Sequence, residues 1–363
     1  MKTLLALVLA FLSATAPVRA DVPDPKRDAA FVALIGRAVT NFIRPGYERF
    51  ANEAELLEIE SAELCETPSP AALAATRRQF AALVDAWGRI ELIRFGPVAE
   101  NNRYERIFFW PDRKGISLRQ IRRVLRSKDA DAVNPESLGR KSVAVQGIGA
   151  LEYLLHGAGS KSLAGPKGTF RCAYAGAVSR VLHRVATEIR AGWTEGAPFP
   201  ARFLKPDAGD PVYRAPEEPV QALVLAITQE LVDARNVKLR AVLGESADRA
   251  RPKRAPFRRA GLTVRYLKAN ITAAHHLFVV AGFMDLLGAD DKWLEGSIQF
   301  EVGSALRSLD ALPGSLDAAV RDTDGRQLLT QATINLTGAI RAIGDYYTDR
   351  TGLTLGFNSS DGD

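Results

Sequence analysis

The sequence predicts an all-α protein in which two helical bundles, of the four-helix-bundle type, pack side by side. Apolar residues recur at three- and four-residue steps through long segments, as at Phe31, Leu34 and Ile35. Segments that alternate apolar and polar residues between hairpin turns are scarce. Long helices joined by modest loops are typical of up-and-down bundles, and 363 residues favour two cores over one.

The first twenty residues are predicted to be a secretory signal peptide. Lys2 supplies the positive charge, Leu4 to Leu12 are apolar, and residues 18–20 form a small-x-small cleavage signal before Asp21. The apolar stretch is short for a bilayer, and no later stretch is long and apolar enough to be a transmembrane helix. We therefore expect a periplasmic protein.

The mature chain is predicted to divide into an N-terminal bundle (21–200), a linker (201–216) and a C-terminal bundle (217–363). The linker lies in a region rich in Gly and Pro with little periodicity, and Pro45 is expected to break or kink the first helix. Helices are expected at residues 29–64, 71–95, 117–125, 145–156, 170–193, 220–243, 260–287, 291–309 and 328–350.

The formal net charge of +6 falls to about +4 when Lys2 and Arg19 leave with the signal peptide. So mild a charge favours neither nucleic acid nor a strongly anionic surface as a partner. The densest basic stretch, residues 249–259, contains two prolines and is expected to be a loop. It is either a solvated connector or a contact for an anion or a lipid headgroup.

The chain has two cysteines, Cys65 and Cys172. An even number of cysteines in an exported chain is typical of a disulfide, so we predict a Cys65–Cys172 bridge. The alternative is two buried thiols.

Several segments together resemble those of the imelysin-like family, which is also classed as the M75 peptidases. They follow the family's order and cover most of the mature chain. These segments are residues 64–68, Trp87 with 94–97, 106–112, 146–155, 171–174 and 355–358.

The resemblance implies a fold of two helical bundles, a periplasmic or outer-surface location, and an association with iron uptake or iron regulation. The family's hallmark is Gly-x-His-x-x-Glu, a proposed metal site. The matching run here is residues 147–152, in which Gly147 and Glu152 are retained but the histidine position is Gly149. This departure weakens the case for metal-dependent catalysis, and we assign no catalytic residue.

Glu152 stands in an apolar run, where an ionised carboxylate needs a partner. We expect that partner to be Arg89, Arg94 or Arg106, in either a structural ion pair or a ligand-binding site. His156 follows four residues later on the same helical face, so Glu152 and His156 form a candidate metal pair. Two ligands alone make a weak metal site.

An aromatic cluster precedes Asp112, and we expect it to line a cleft together with residues of the preceding helix. Core packing is the default for Trp87, and Asp112 has an alternative role as a helix cap. The predicted ligand-binding residues are Trp87, Arg94, Trp110, Asp112, Gly147, Gly149 and Glu152.

These patterns favour a binding protein whose cleft between the bundles holds a small ligand, such as iron, another divalent metal or an iron-bearing compound. One alternative is a metallopeptidase of the M75 type. The other is a non-catalytic scaffold that contacts an envelope protein. The sequence contains no His-Glu-x-x-His motif, no Gly-x-Ser-x-Gly elbow and no P-loop.

Overall fold

The computed structural model describes residues 24–354, and within that range it contains helices and no β-strand. The all-α prediction is therefore confirmed. The predicted signal peptide and the motif at 355–358 lie outside the described residues. None of the described helices is long and apolar enough to cross a membrane.

The helices vary from single turns to 24 residues. Their bounds are α1 Pro25–Ala38, α2 Arg44–Glu66, α3 Pro70–Gly88, α4 Arg103–Ile107, α5 Ile116–Ser127, α6 Pro135–Gly139, α7 Gly147–His156, α8 Thr169–Gly192, α9 Pro198–Leu204, α10 Glu217–Asp233, α11 Ala241–Leu243, α12 Thr263–Val280, α13 Trp293–Asp310, α14 Leu316–Ala319, α15 Thr323–Arg341 and α16 Thr348–Thr351. π-helical segments join α1 to α2 (Val39–Ile43), α10 to α11 (Ala234–Arg240) and α15 to α16 (Ala342–Tyr347).

The long helices form two groups. In the first, α2 packs against α3 and α8, and α7 packs against α8. In the second, α13 packs against α15, and α10 packs against α12 and α15. Helix α3 packs against α12, so the groups are in direct contact, and α1 also contacts α10 of the second group. Phe203 and Tyr213, in the segment predicted as a linker, are buried; the division at residues 201–216 stays a prediction.

The structure refines one helix prediction and shortens another. Before Pro45 the α-helix is interrupted by a π-helical turn, Val39–Ile43, in which the Arg44 backbone N–H donates to the Val39 carbonyl, and the chain stays helical through the proline. The wider turn accommodates a proline that has no N–H to donate. The helix expected over 71–95 ends at Gly88, where an added Cβ would lie 2.9 Å from the Tyr266 ring. The chain then turns and brings Glu91 into the interior.

A buried charge cluster joins the two helix groups. The Lys238 ammonium is 2.5 Å from Glu91 Oε1, 2.7 Å from Glu230 Oε1 and 2.7 Å from Asn270 Oδ1. The Tyr266 hydroxyl donates to the other oxygen of Glu91. We refer to these five residues as the Lys238 cluster. Because its members come from α10, α12, a π-helical segment and the turn after α3, the cluster fixes these elements relative to one another.

The π-helical segment explains how Lys238 reaches Glu230. Residues eight apart in a regular α-helix point about 80° apart. The extra residue of a π-helical turn rotates later side chains back, which brings Lys238 onto the face that carries Glu230. Burial by itself would lower the pKa of Lys238, but the charges of Glu230 and Glu91 outweigh it and hold that pKa above its ordinary value.

Cys65 and Cys172 form a disulfide that links α2 to α8, with Cα atoms 5.5 Å apart. The prediction from the cysteine count is therefore confirmed. The two cysteines are 107 residues apart in the sequence. A loop of that length corresponds to about 4–5 kcal/mol of stabilisation in the chain-entropy description of disulfides.

The two glycines of the 147–152 run differ in their surroundings. Gly147 has φ +67°, and a Cβ there would lie 2.3 Å from the carbonyl oxygens of Arg106 and Ile107. Gly149 lies within α7, and the nearest atom to an added Cβ is a Phe108 ring carbon at 4.0 Å. A glycine is therefore required by the backbone at residue 147 and not at residue 149.

This difference predicts opposite effects of alanine. Gly147→Ala should lower the free energy of unfolding by more than about 2 kcal/mol, through the left-handed backbone and the contact with carbonyl oxygens. Gly149→Ala should raise it by up to about 1 kcal/mol, because alanine is the better helix former. Urea denaturation of both variants measures these changes in the free energy of unfolding. Equal destabilisation of the two variants would contradict the described packing of α7.

Candidate functional site

Glu152 lies on α7 and connects the two helix groups. One carboxylate oxygen accepts from the Arg259 backbone N–H at 2.7 Å and from the Ala260 N–H at 3.3 Å. The other lies 3.3 Å from the Arg259 guanidinium. The carboxylate, which is 6% exposed, thus anchors the chain just before α12 to the first group.

The expected partners of Glu152 were wrong, because its ion pair is with Arg259 rather than with Arg89, Arg94 or Arg106. Burial raises the pKa of Glu152, and the charge of Arg259 and the backbone N–H groups offset that effect in part. An incompletely compensated carboxylate costs stability, and such groups concentrate at functional sites.

His156, at the end of α7, has an apolar neighbour and no polar partner for one ring nitrogen. Its ring lies 5.5 Å from that of Phe80, and its Nε2 is buried without a hydrogen bond among the described residues. Burial and, to a smaller extent, the charge of Arg77 lower the pKa of His156 to about 4. The imidazole is therefore neutral at physiological pH.

The segment opposite α7 precedes α12 and contains the basic stretch. Phe257 is 2% exposed and has φ +54°, a left-handed conformation that is uncommon outside glycine. Its ring stacks on Phe108 at 4.7 Å and meets Tyr266 edge-on at 4.8 Å. Aromatic packing therefore holds this loop against the core, while the side chains of Arg251, Lys253 and Arg254 are exposed to solvent.

A cavity of about 530 Å³ lies between α5, α7 and this segment. We call it the α7 cavity. Such a volume is in the range of small-molecule sites. The residues of its lining that carry the argument are Arg122, Tyr153, His156, Lys253, Arg258 and Arg259.

The predicted ligand-binding residues are distributed around this cavity rather than inside it. Trp87 is fully buried between the rings of Phe50 and Tyr104, at 5.1 and 5.4 Å. Arg94 is paired with Glu230 and Asp233 beside the Lys238 cluster.

The remaining predicted residues also lie outside the cavity lining. Trp110 stacks on Phe108 at 6.0 Å. Asp112 caps α5 by accepting from the backbone N–H groups of Ile116 and Ser117, both at 2.8 Å. Gly147 and Gly149 form the first turn of α7 next to Phe108. Of the residues predicted to bind a ligand or a metal, the structure therefore places only His156 on the cavity lining. Glu152 lies on the same helix and contacts the lining residue Arg259.

Sequence reasoning did not find Arg122, Tyr153 and the three basic residues of the opposite segment as a group. The available signal was the density of positive charge at 249–259, for which an anion contact was one of two interpretations. What the sequence could not indicate is that this loop folds back onto α7, more than ninety residues earlier.

The described residues do not fit a resident metal ion. Within 24–354 there is no group of three or more His, Cys, Asp or Glu side chains that could hold one. Both oxygens of Glu152 already have partners, and the His156 ring packs against Phe80. The predicted metal pair therefore has no third protein ligand in the part of the chain that the structure describes.

The neutral state of His156 predicts a pH effect on stability. The unfolded chain takes up a proton near pH 6.5, whereas the folded chain does so near pH 4. His156 thus contributes stability above pH 6.5 that is lost as the pH falls to about 4. Urea denaturation should show wild type losing stability relative to His156→Gln across this interval, and a difference independent of pH would contradict the burial of this ring.

The chain was compared with known proteins. The Imelysin (peptidase M75) family model matches residues 43–343. An imelysin-like protein from Psychrobacter arcticum 273-4 has a similar structure, with a TM-score of 0.72 and 19% identity over 91% of this chain and 98% of that one.

A putative iron-regulated protein A precursor from Parabacteroides distasonis ATCC 8503 gives a TM-score of 0.71 and 12% identity over 91% of this chain and 97% of that one. At these identities the two structures support the fold alone. No curated protein matches the chain. Since the family model spans most of the sequence, the chain belongs to the imelysin family.

Proposed function

We propose that this protein is an exported, non-catalytic binding protein that takes part in iron uptake and holds its ligand in the α7 cavity. The observation that carries the proposal is the position of the cavity. It lies between α5, the segment before α12 and α7, the helix that carries the retained motif residues Gly147 and Glu152; Tyr153 and His156 of α7 line it.

The chemistry of the motif run, residues 147–152, favours ligand binding over catalysis. The motif histidine is replaced by Gly149, and the oxygens of Glu152 are engaged by Arg259 and Ala260. The link to iron rests on the family and on the structural relative described as a putative iron-regulated protein. Export rests on the predicted signal peptide and on the word "precursor" in that relative's description.

Binding of iron tests this function directly. Calorimetric titration of the mature protein with ferric citrate, Fe²⁺ and Zn²⁺ should show one site for an iron species. His156→Ala tests the predicted Glu152–His156 metal pair. If wild type and the variant bind Fe²⁺ and Zn²⁺ with the same affinity, or if neither protein binds them, the metal pair is excluded.

Two further assays on the same purified protein test the alternative functions, a metallopeptidase and a non-catalytic scaffold. Casein cleavage that is abolished by a chelator and by Glu152→Ala would replace the proposal with a metallopeptidase. Failure to bind any of the three iron or zinc probes would favour a scaffold. Export is checked by mass spectrometry of the periplasmic fraction, where the mature chain should begin at Asp21.

A further inference from the structure

The α7 cavity has a strongly one-sided charge. Arg122, Lys253, Arg258 and Arg259 line it, and no Asp or Glu is among its lining residues in the described chain. The net charge of the whole protein is mild, so this concentration is local. Positive charge that converges on a concave surface attracts anions, because low-dielectric walls focus the field.

Internal ion pairs neutralise half of these cations. Arg258 is paired with Asp317 at 3.2 Å, and Arg259 with Glu152 at 3.3 Å. Arg122 donates to the Tyr153 hydroxyl at 3.2 Å. Neither Arg122 nor Lys253 has an ion pair within residues 24–354. Two cations from opposite walls of the cavity therefore remain available to a ligand.

Three guanidinium groups surround the ring of Tyr153, which lines the cavity. The guanidinium carbons of Arg122, Arg171 and Arg259 lie 5.8, 5.5 and 5.5 Å from the centre of that ring. Arg171 is fixed there by hydrogen bonds to three backbone carbonyls of 153–158.

We propose that the α7 cavity binds a small, multiply charged anion through carboxylate or phosphate oxygens, with Arg122 and Lys253 as its principal contacts. Guanidinium and ammonium groups form short, charge-assisted hydrogen bonds with such oxygens. The inference rests on the proposed binding function and narrows its ligand class: iron enters this cavity as an anionic chelate and not as the bare cation.

The test uses iron-free anions. Citrate and inorganic pyrophosphate are titrated calorimetrically into the mature protein, and one of them should bind at one site. Arg122→Ala and Lys253→Ala should each weaken that binding at least about tenfold, as expected for loss of a hydrogen bond to a charged group. Both side chains are exposed, so neither change removes core packing.

Each variant has a matched control next to it in the chain. Arg123→Ala and Arg254→Ala remove the same charge from exposed residues that do not line the cavity, and each should change the affinity less than about twofold. Equal losses in all four variants would overturn the assigned contacts, because they would show a general effect of net charge.

Further outcomes distinguish the ligand source and the proposed function. Binding to vesicles of phosphatidylcholine and phosphatidylglycerol, with no binding of either soluble anion, would overturn the small-ligand proposal. Binding of Fe²⁺ or Zn²⁺ without either anion would overturn the anion inference and leave the iron-binding function standing. Binding of citrate or pyrophosphate but of no iron species would support the anion site and remove the iron function.

Discussion

The arrangement of this protein depends on the pairing of one buried ammonium group. Lys238 is 2% exposed, and its charge is balanced by Glu91 and Glu230 from different elements. A charge so deep in a protein is tolerated when its partners are close and hydrogen-bonded. The need to satisfy it therefore restricts how α10, α12 and the turn after α3 pack, and hence how the two helix groups meet.

The cluster is connected to the α7 cavity through Tyr266. The Tyr266 hydroxyl donates to Glu91, and the Tyr266 ring packs edge-on against Phe257, a residue of the basic segment 249–259. Glu152 then anchors the end of that segment to α7. Two buried carboxylates, Glu91 and Glu152, thus help to hold the segment that supplies Lys253, Arg258 and Arg259 to the cavity. The sequence shows the positive charge of residues 249–259, but the contribution of Arg122 from α5 is visible only in the folded arrangement.

Local patterns predicted most of the fold. The 3.6-residue periodicity located the long helices, and the cysteine count predicted the disulfide. The candidate site was predicted in part: the motif located α7 and Glu152, but the partner of Glu152 is 107 residues further along the chain. Pairings of that kind depend on how helices pack, which no local spacing encodes. Trp87 was predicted both as a core residue and as a ligand contact, and its packing between Phe50 and Tyr104 supports the first role.

Replacement of Lys238 by methionine tests the central claim most directly. Methionine fills much of the same volume but leaves Glu91 and Glu230 without their shared cation. Urea denaturation at neutral pH should show a loss of about 3–5 kcal/mol in the free energy of unfolding. Lys268→Met, which removes an ion pair between α12 and Asp310 of α13 at the surface, should cost less than about 1 kcal/mol. An unchanged or higher stability of Lys238→Met would contradict the claim that this cluster fixes the junction.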